Sequence, residues 1–167
     1  MPFDLRSRAY VGIGANLADP QAAVLRAIER LRPLGLVAAS RLFRSVPVDA
    51  GGPDFINAVA ELDTALDPLA LLDALQHIEA DFGRERPYRH APRTLDLDLL
   101  LHGDSVITTA RLTLPHPRLH RRAFVLKPLL ELAPQLSAPG LGALAEHLAS
   151  TGGQVVEPLA CPPTMPR

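Results

Sequence analysis

Leu95-Asp96-Leu97-Asp98-Leu99-Leu100-Leu101 is the stretch on which the reading of this chain turns. Its length and apolar content mark a β-strand, interrupted by two carboxylates. Side chains alternate along a strand, so Asp96 and Asp98 share one face, roughly 6.6 Å apart along the chain. Two like charges at that spacing repel unless something positive stands beside them. A hard divalent cation answers that need, and Mg²⁺ characteristically takes one or two carboxylates together with substrate phosphates. A solvated strand face explains the pair, taken alone, just as well.

Working outward, this strand is the fourth of the chain. Arg8 to Gly14 reads as the first, with Ala9, Val11 and Ile13 on one face. Asp19-Pro20 then gives a capped helix start, and Val24, Ala27, Ile28 and Leu31 form the buried stripe, ended by Pro33 and Gly35. A second strand is expected over Leu36–Arg44, a loop over Ser45–Asp54 and a third strand over Phe55–Thr64. Asp67-Pro68 repeats the helix start, with Leu69, Leu72, Leu75 and Phe82 as the apolar face and Gly83 as the stop. The order is β-α-β-β-α-β, an α+β ferredoxin-like sandwich. A hairpin strand near Val106, a helix over Arg118–Leu132 and a short helix over Ala143–Ala149 are additions. Residues 1–160 are expected to form one domain, with 161–167 a frayed Pro-rich tail.

The bulk properties narrow the function. At 167 residues the chain suits one domain with a sizeable core. A net charge of −1 argues against a general nucleic-acid binder but permits a local basic patch. Cys161 is the single cysteine, so neither an intrachain disulfide nor a thiolate metal site is expected. The start, punctuated by Asp4, Arg6 and Arg8, does not read as a signal peptide, and no apolar run approaches the ~20 residues that span a bilayer. A cytoplasmic protein without membrane partners is the expectation.

Basic clusters flank the acidic pair. Arg84, Arg86, Arg89 and Arg93 precede it with Glu85 as the only acid among them, and from Arg111 to Lys127 there is no acid at all. Arg118, Arg121 and Arg122 would share one face of the expected helix. Forked guanidinium donors suit phosphate oxygens, so the combination suggests a polyphosphate–metal site, although a solvated basic face explains any one cluster. Phe55 and Asn57 share a strand face beside the Ser45–Asp54 loop, where a ring and an amide could stack on a flat heterocycle and bond its edge. Core packing is the plainer reading of Phe55, and of Phe124. Gln76 and Glu79 could face the site, or simply an exposed helix face. Gly12-Ile13-Gly14 is not a dinucleotide fingerprint, because Leu17 stands where the last glycine belongs, and no Walker lysine motif exists.

Arg89-His90-Ala91-Pro92-Arg93-Thr94-Leu95-Asp96-Leu97-Asp98-Leu99-Leu100 resembles the signature of the 6-hydroxymethyl-7,8-dihydropterin pyrophosphokinases. Gly14-Ala15-Asn16-Leu17, Phe43-Arg44-Ser45 with Pro47, Pro53-Asp54-Phe55-Ile56-Asn57-Ala58, Gln76-His77-Ile78-Glu79 and Leu114-Pro115-His116 follow the family's order. The resemblance spans about residues 8 to 135. It implies two Mg²⁺ ions between ATP phosphates and the carboxylates Asp96 and Asp98, and catalytic roles for these two with Arg84 and Arg93. It implies that Phe55 and Phe124 sandwich a pterin, that Asn57 bonds its edge, and that Ser45, Val46 and Val48 give it backbone contacts. Around ATP it places Gln76, Glu79, Arg86, Leu99, Arg111, Thr113, His116 and Arg122. Loops Ser45–Asp54 and Arg84–Pro92 would be lids.

The chain departs from the family's usual Trp-Gly at His90-Ala91, and Ala15, Val46 and Pro117 replace a usual Ser, Pro and aromatic. The implied activity is pyrophosphoryl transfer from ATP to the pterin alcohol in folate biosynthesis, by a monomer. A two-metal phosphoesterase could use the same carboxylates and arginines with water as nucleophile. An RNA-binding ferredoxin-like module would want paired sheet aromatics, which this chain lacks.

Overall fold

The computed structural model describes residues 6–47, 52–83 and 95–159. Its centre is an antiparallel sheet of β1 (Ser7–Ala15), β3 (Phe43–Ser45), β4 (Phe55–Thr64), β5 (Asp96–His102) and β10 (Val156–Pro158), in the order β10-β3-β4-β1-β5. β2 (Leu36–Ala39) also pairs with β4. Helices α1 (Pro20–Arg30) and α2 (Pro68–Gly83) connect the strands as β-α-β-β-α-β, so the ferredoxin-like expectation holds. Among the described residues, no helix is long and apolar enough to cross a membrane.

Both helices start where capping chemistry places them. The Asp19 carboxylate accepts from the Ala22 N–H at 3.2 Å and Asp67 from Ala70 at 2.8 Å, while the following prolines lose no helical bond. In α1 the stripe Val24, Ala27, Ile28 and Leu31 is buried as expected. In α2 the buried stripe is Leu71, Leu75, Ile78 and Phe82, not the expected set, for Leu69 is exposed and Leu72 only half-buried. Periodicity fixed the spacing, but two apolar faces competed. The sheet selected the one that continues through Ile78. Burying a leucine fully is worth about 1.5–3 kcal/mol, enough for that choice to hold the helix in place.

The expected second strand is broken in two. The Ser40 N–H donates to Val59 O at 2.9 Å, and the Ser40 hydroxyl takes the Val59 N–H at 3.0 Å while donating to Arg41 O at 2.8 Å. A buried side chain thus replaces a ladder carbonyl, and β2 and β3 pair with different halves of β4.

The sheet's two faces carry different loads. On one, Ala9, Val11, Ile13, Ile56, Ala58, Ala60, Leu62, Leu97 and Leu99 pack against α1 and α2. On the other, Tyr10, Val59, Leu100 and Leu101 pack against α3 (Ala123–Leu132) and Leu119 and Leu144. The register shifts at β5, where Tyr10 pairs with Leu101 but Val11 with Leu99; this bulge lets Leu100 and Leu101 both join the α3 side. The expected hairpin exists as β6 (Ile107–Thr108) paired with β7 (Thr113–Leu114), apart from the main sheet. β8 (Ser137–Ala138) pairs with β9 (Gly142–Ala143), and a 3-10 helix over Leu144–Thr151 stands where a short helix was expected.

Replacing Ser40 with Ala should lower unfolding free energy by about 1–3 kcal/mol, because the buried Val59 N–H loses its acceptor. Urea denaturation tests this, and an unchanged midpoint would count against the hydroxyl's place in the ladder.

Candidate active site

Three pairs of residues at i, i+2 meet on the face that α3 covers only in part. Gly14 of β1 stands opposite Asn57 of β4 on one side and Asp96 of β5 on the other, and Gly12 lies between Val59 and Asp98. Cross-strand partners point the same way, so the carboxylates, the asparagine and Phe55 project from one surface. The two glycines project nothing, which leaves a trough between them. A Cβ on Gly14 would stand 3.2 Å from Asn57 Nδ2, tight enough to disturb the amide. Asn57 is buried, and its Oδ1 accepts from the Ser45 hydroxyl at 2.6 Å, which leaves the NH₂ end over Gly14.

The segment before α3 closes the trough into a cavity of about 640 Å³, a size suited to small organic ligands. Its lining includes Ser45, Val46, Phe55, Asn57, Asp96, Asp98, Arg118, Arg121, Arg122, Phe124 and Gln154. Phe55 and Phe124 are both half-buried, and the Arg122 guanidinium lies 5.4 Å from the Phe124 ring centroid.

The three arginines do not share a helical face as expected. Leu119–Arg121 is a 3-10 turn, and Arg122 is an extended N-cap residue with φ −119° and ψ 109°. The His116 Nδ1 accepts from the Arg118 N–H at 3.1 Å, a local bond that competes with helix. The helix therefore begins only at Ala123, and the turn brings Arg118, Arg121 and Arg122 to one wall. Burial pulls Arg122 below the usual guanidinium range; Asp98 opposes this, Arg118 adds to it, and Asp96 opposes it. Cation and carboxylates therefore lie within electrostatic reach across the cavity.

His116 is held below its ordinary pKa chiefly by burial, with Asp98 opposing and Arg122 and Arg118 reinforcing. Its backbone N–H donates to Leu100 O at 3.0 Å, so the residue is anchored against β5. With Nδ1 accepting, the neutral ring carries its proton on Nε2.

Other expected residues lie beside β5 rather than in the cavity lining. Glu79 accepts from the Leu97 N–H at 2.8 Å. Arg111 pairs with Asp73 and donates to Gln76 Oε1 at 3.4 Å, and the Thr113 hydroxyl reaches Thr109 O at 3.5 Å. The Leu99 side chain is buried in the helix-side core. Val48, Arg84, Arg86, Arg93 and most of the two expected lids lie outside the described residues. Arg118 and Arg121 line the cavity as the basic cluster suggested, and Gly12, Gly14 and Gln154 line it although no sequence argument points to them as site residues. The glycines did carry a signal: their i, i+2 spacing matches that of Phe55/Asn57 and Asp96/Asp98.

Among the described residues, no group of three or more His, Cys, Asp or Glu side chains could hold a metal ion. Asp96 and Asp98 supply two carboxylates on one face, a donor set that suits a cation completing its shell with phosphate oxygens and water.

Residues 10–134 match the family described as 7,8-dihydro-6-hydroxymethylpterin-pyrophosphokinase (HPPK). The chain belongs to this family. A 2-amino-4-hydroxy-6-hydroxymethyldihydropteridine pyrophosphokinase from Pseudomonas aeruginosa is 49% identical over 156 residues, 91% of this chain and 96% of its own length. The enzyme of that name from Haemophilus influenzae is 44% identical over 142 residues, 83% of this chain and 89% of its own. Among solved structures, wild-type HPPK-DHPS of Plasmodium falciparum with pteroate superposes with a TM-score of 0.69 at 14% identity. That match covers 86% of this chain but 42% of the larger protein, and it supports the HPPK fold alone.

In the metal-free protein, His116 should titrate below its ordinary 6.5. The unfolded chain then binds that proton more tightly. The histidine's contribution to stability is therefore complete above about pH 6.5 and is lost as pH falls through the folded value. NMR titration of the imidazole Cε1–H measures this; a midpoint at or above 6.5 would contradict the burial argument.

Proposed function

We propose that this chain transfers a pyrophosphoryl group from ATP to the hydroxymethyl oxygen of 6-hydroxymethyl-7,8-dihydropterin, releasing AMP. The carrying observation is the cavity itself. Its lining brings an asparagine amide and two aromatic rings, Phe55 and Phe124, together with two carboxylates and three arginines. Family membership and the names of the relatives point to the same pterin and the same transfer.

Phe55 and Phe124 would stack on the pterin faces, and Asn57, its carbonyl already engaged by Ser45, would offer its NH₂ to an acceptor on the pterin edge. Ser45, Val46 and Val48 would add contacts from the loop start. Arg122, with His116 as a neutral Nε2–H donor, would meet phosphate oxygens. Gln76, Glu79, Arg86, Leu99, Arg111 and Thr113 would surround the nucleotide along β5. Arg84 and Arg93 would steady the triphosphate as charge moves toward the leaving group.

Asp96 and Asp98 would hold two Mg²⁺ ions. When bound, these supply positive charge that the phosphate oxygens need. The reaction is in-line displacement: the hydroxymethyl oxygen bonds to the β-phosphorus, the bond between that phosphorus and the α,β-bridging oxygen breaks, and AMP leaves. The hydroxyl proton passes to solvent or a nearby base. The protein's share is positioning and charge neutralisation. We further read the protein as a cytoplasmic monomer whose residues 1–160 form one domain.

The test mixes protein, ATP, Mg²⁺ and the pterin alcohol and follows AMP. AMP that requires both pterin and metal supports the reading, whereas ADP or pterin-independent hydrolysis would favour a phosphoesterase. Asp96→Ala and Asp98→Ala should each lower kcat by orders of magnitude, about 10²-fold or more, with the thermal midpoint little changed. Wild-type turnover in a folded, metal-replete variant would remove that carboxylate from the mechanism.

A further inference from the structure

The residues that follow the family match run back to the cavity. After the 3-10 helix Leu144–Thr151 the chain turns, and Gln154 enters the cavity lining. The N-cap of helix α3 is Arg122, which forms no side-chain cap of its own. Gln154 supplies what is missing: its Oε1 accepts from the Ala123 N–H at 2.9 Å, and its Nε2 donates to Arg121 O at 2.8 Å. These bonds bracket Arg122, so they set the direction of its side chain and, two residues on, of Phe124.

The same short segment grips the opposite wall. Val46 N–H donates to Val155 O at 3.2 Å, and Val156 pairs with Ser45, whose hydroxyl orients Asn57. Lys127 of α3 donates to Val156 O at 3.0 Å, and Val156 packs with Phe43 and Ala123. One strap therefore links the end of β3 to the start of α3, the two elements that bear Ser45 and Phe124.

We propose that Gln154 is a positioning residue for pterin and phosphate binding, acting through the Arg121–Ala123 turn. Each of its polar atoms bonds to backbone of that turn, so the role assigned here runs through the turn. This inference rests on the pterin-transfer reading and adds a residue to it that lies outside residues 10–134.

Gln154→Met keeps the length and removes both hydrogen bonds; Gln154→Glu keeps the acceptor for Ala123 and removes the donor to Arg121. In the Met variant the pterin KM should rise about tenfold and kcat change less than about threefold, as expected for losing two hydrogen bonds that hold the turn away from the reacting atoms. The Ala123 amide should exchange faster with solvent. The Glu variant should keep Ala123 protected and recover part of the KM.

An unchanged KM in the Met variant would overturn the proposal. So would a loss of kcat that tracks a fallen thermal midpoint with no recovery in the Glu variant, since that pattern marks a fold defect. If the wild-type protein turned over no pterin, the functional reading would fall, and the Ala123 exchange rates would still decide whether Gln154 holds the turn.

Discussion

Everything at the cavity depends on the register of β1 between β4 and β5. Gly14 faces Asn57 on one neighbour and Asp96 on the other, so one position without a side chain separates the amide from the carboxylate. Because side chains alternate, a slip of one residue in either pairing would send Asp96 and Asp98, or Asn57 and Phe55, into the helix-side core. The register is enforced from the far face. Ala9, Val11, Ile13, Ala58, Ala60, Leu97 and Leu99 are buried against α1 and α2, and a slip of β4 or β5 would put Asn57 and Glu61, or Asp96 and Asp98, in their place. The hydrophobic core thus holds the chemistry in place without containing it.

The open face is shaped by partial coverage. α3 and Leu144 cover Tyr10, Val59, Leu100 and Leu101, and the bulge in β5 turns two consecutive leucines toward them. Beyond that edge the sheet has no apolar side chain to bury at Gly12 and Gly14, and the cavity begins. Asp96 and Asp98 sit at this boundary, half-buried, where low polarity on one side strengthens their attraction to Arg122. His116, beside the same charges, is held below its ordinary pKa chiefly by burial, and its Nδ1 accepts from the Arg118 N–H.

The element order, both capped helix starts and the α1 stripe were legible in the sequence, because capping and periodicity are local. The family signature around Asp96 and Asp98 was legible too, since it is a run of neighbouring residues. The α2 stripe was misplaced by the same logic: Leu69 and Leu71 are both plausible by spacing, and only contact with the sheet separates them. The break at Ser40 is not legible in the sequence, because a serine hydroxyl can replace a ladder carbonyl only when the partner strand presents Val59. Spacing alone puts the three arginines on one helical face, whereas a bond from Arg118 N–H to His116 shortens the helix.

By itself, the sequence determined which residue types could do chemistry and which faces of their own elements they occupy, for these follow from the periods of strand and helix. Only the tertiary structure decided that three i, i+2 pairs on β1, β4 and β5 share a surface, since pairing register is not encoded within any one strand. It alone brought Gln154 to the start of α3, some thirty positions away in the chain, because such a contact is set by how the last segment packs against β3. Local propensity wrote the parts; the burial of distant apolar faces against one another placed them around a single cavity.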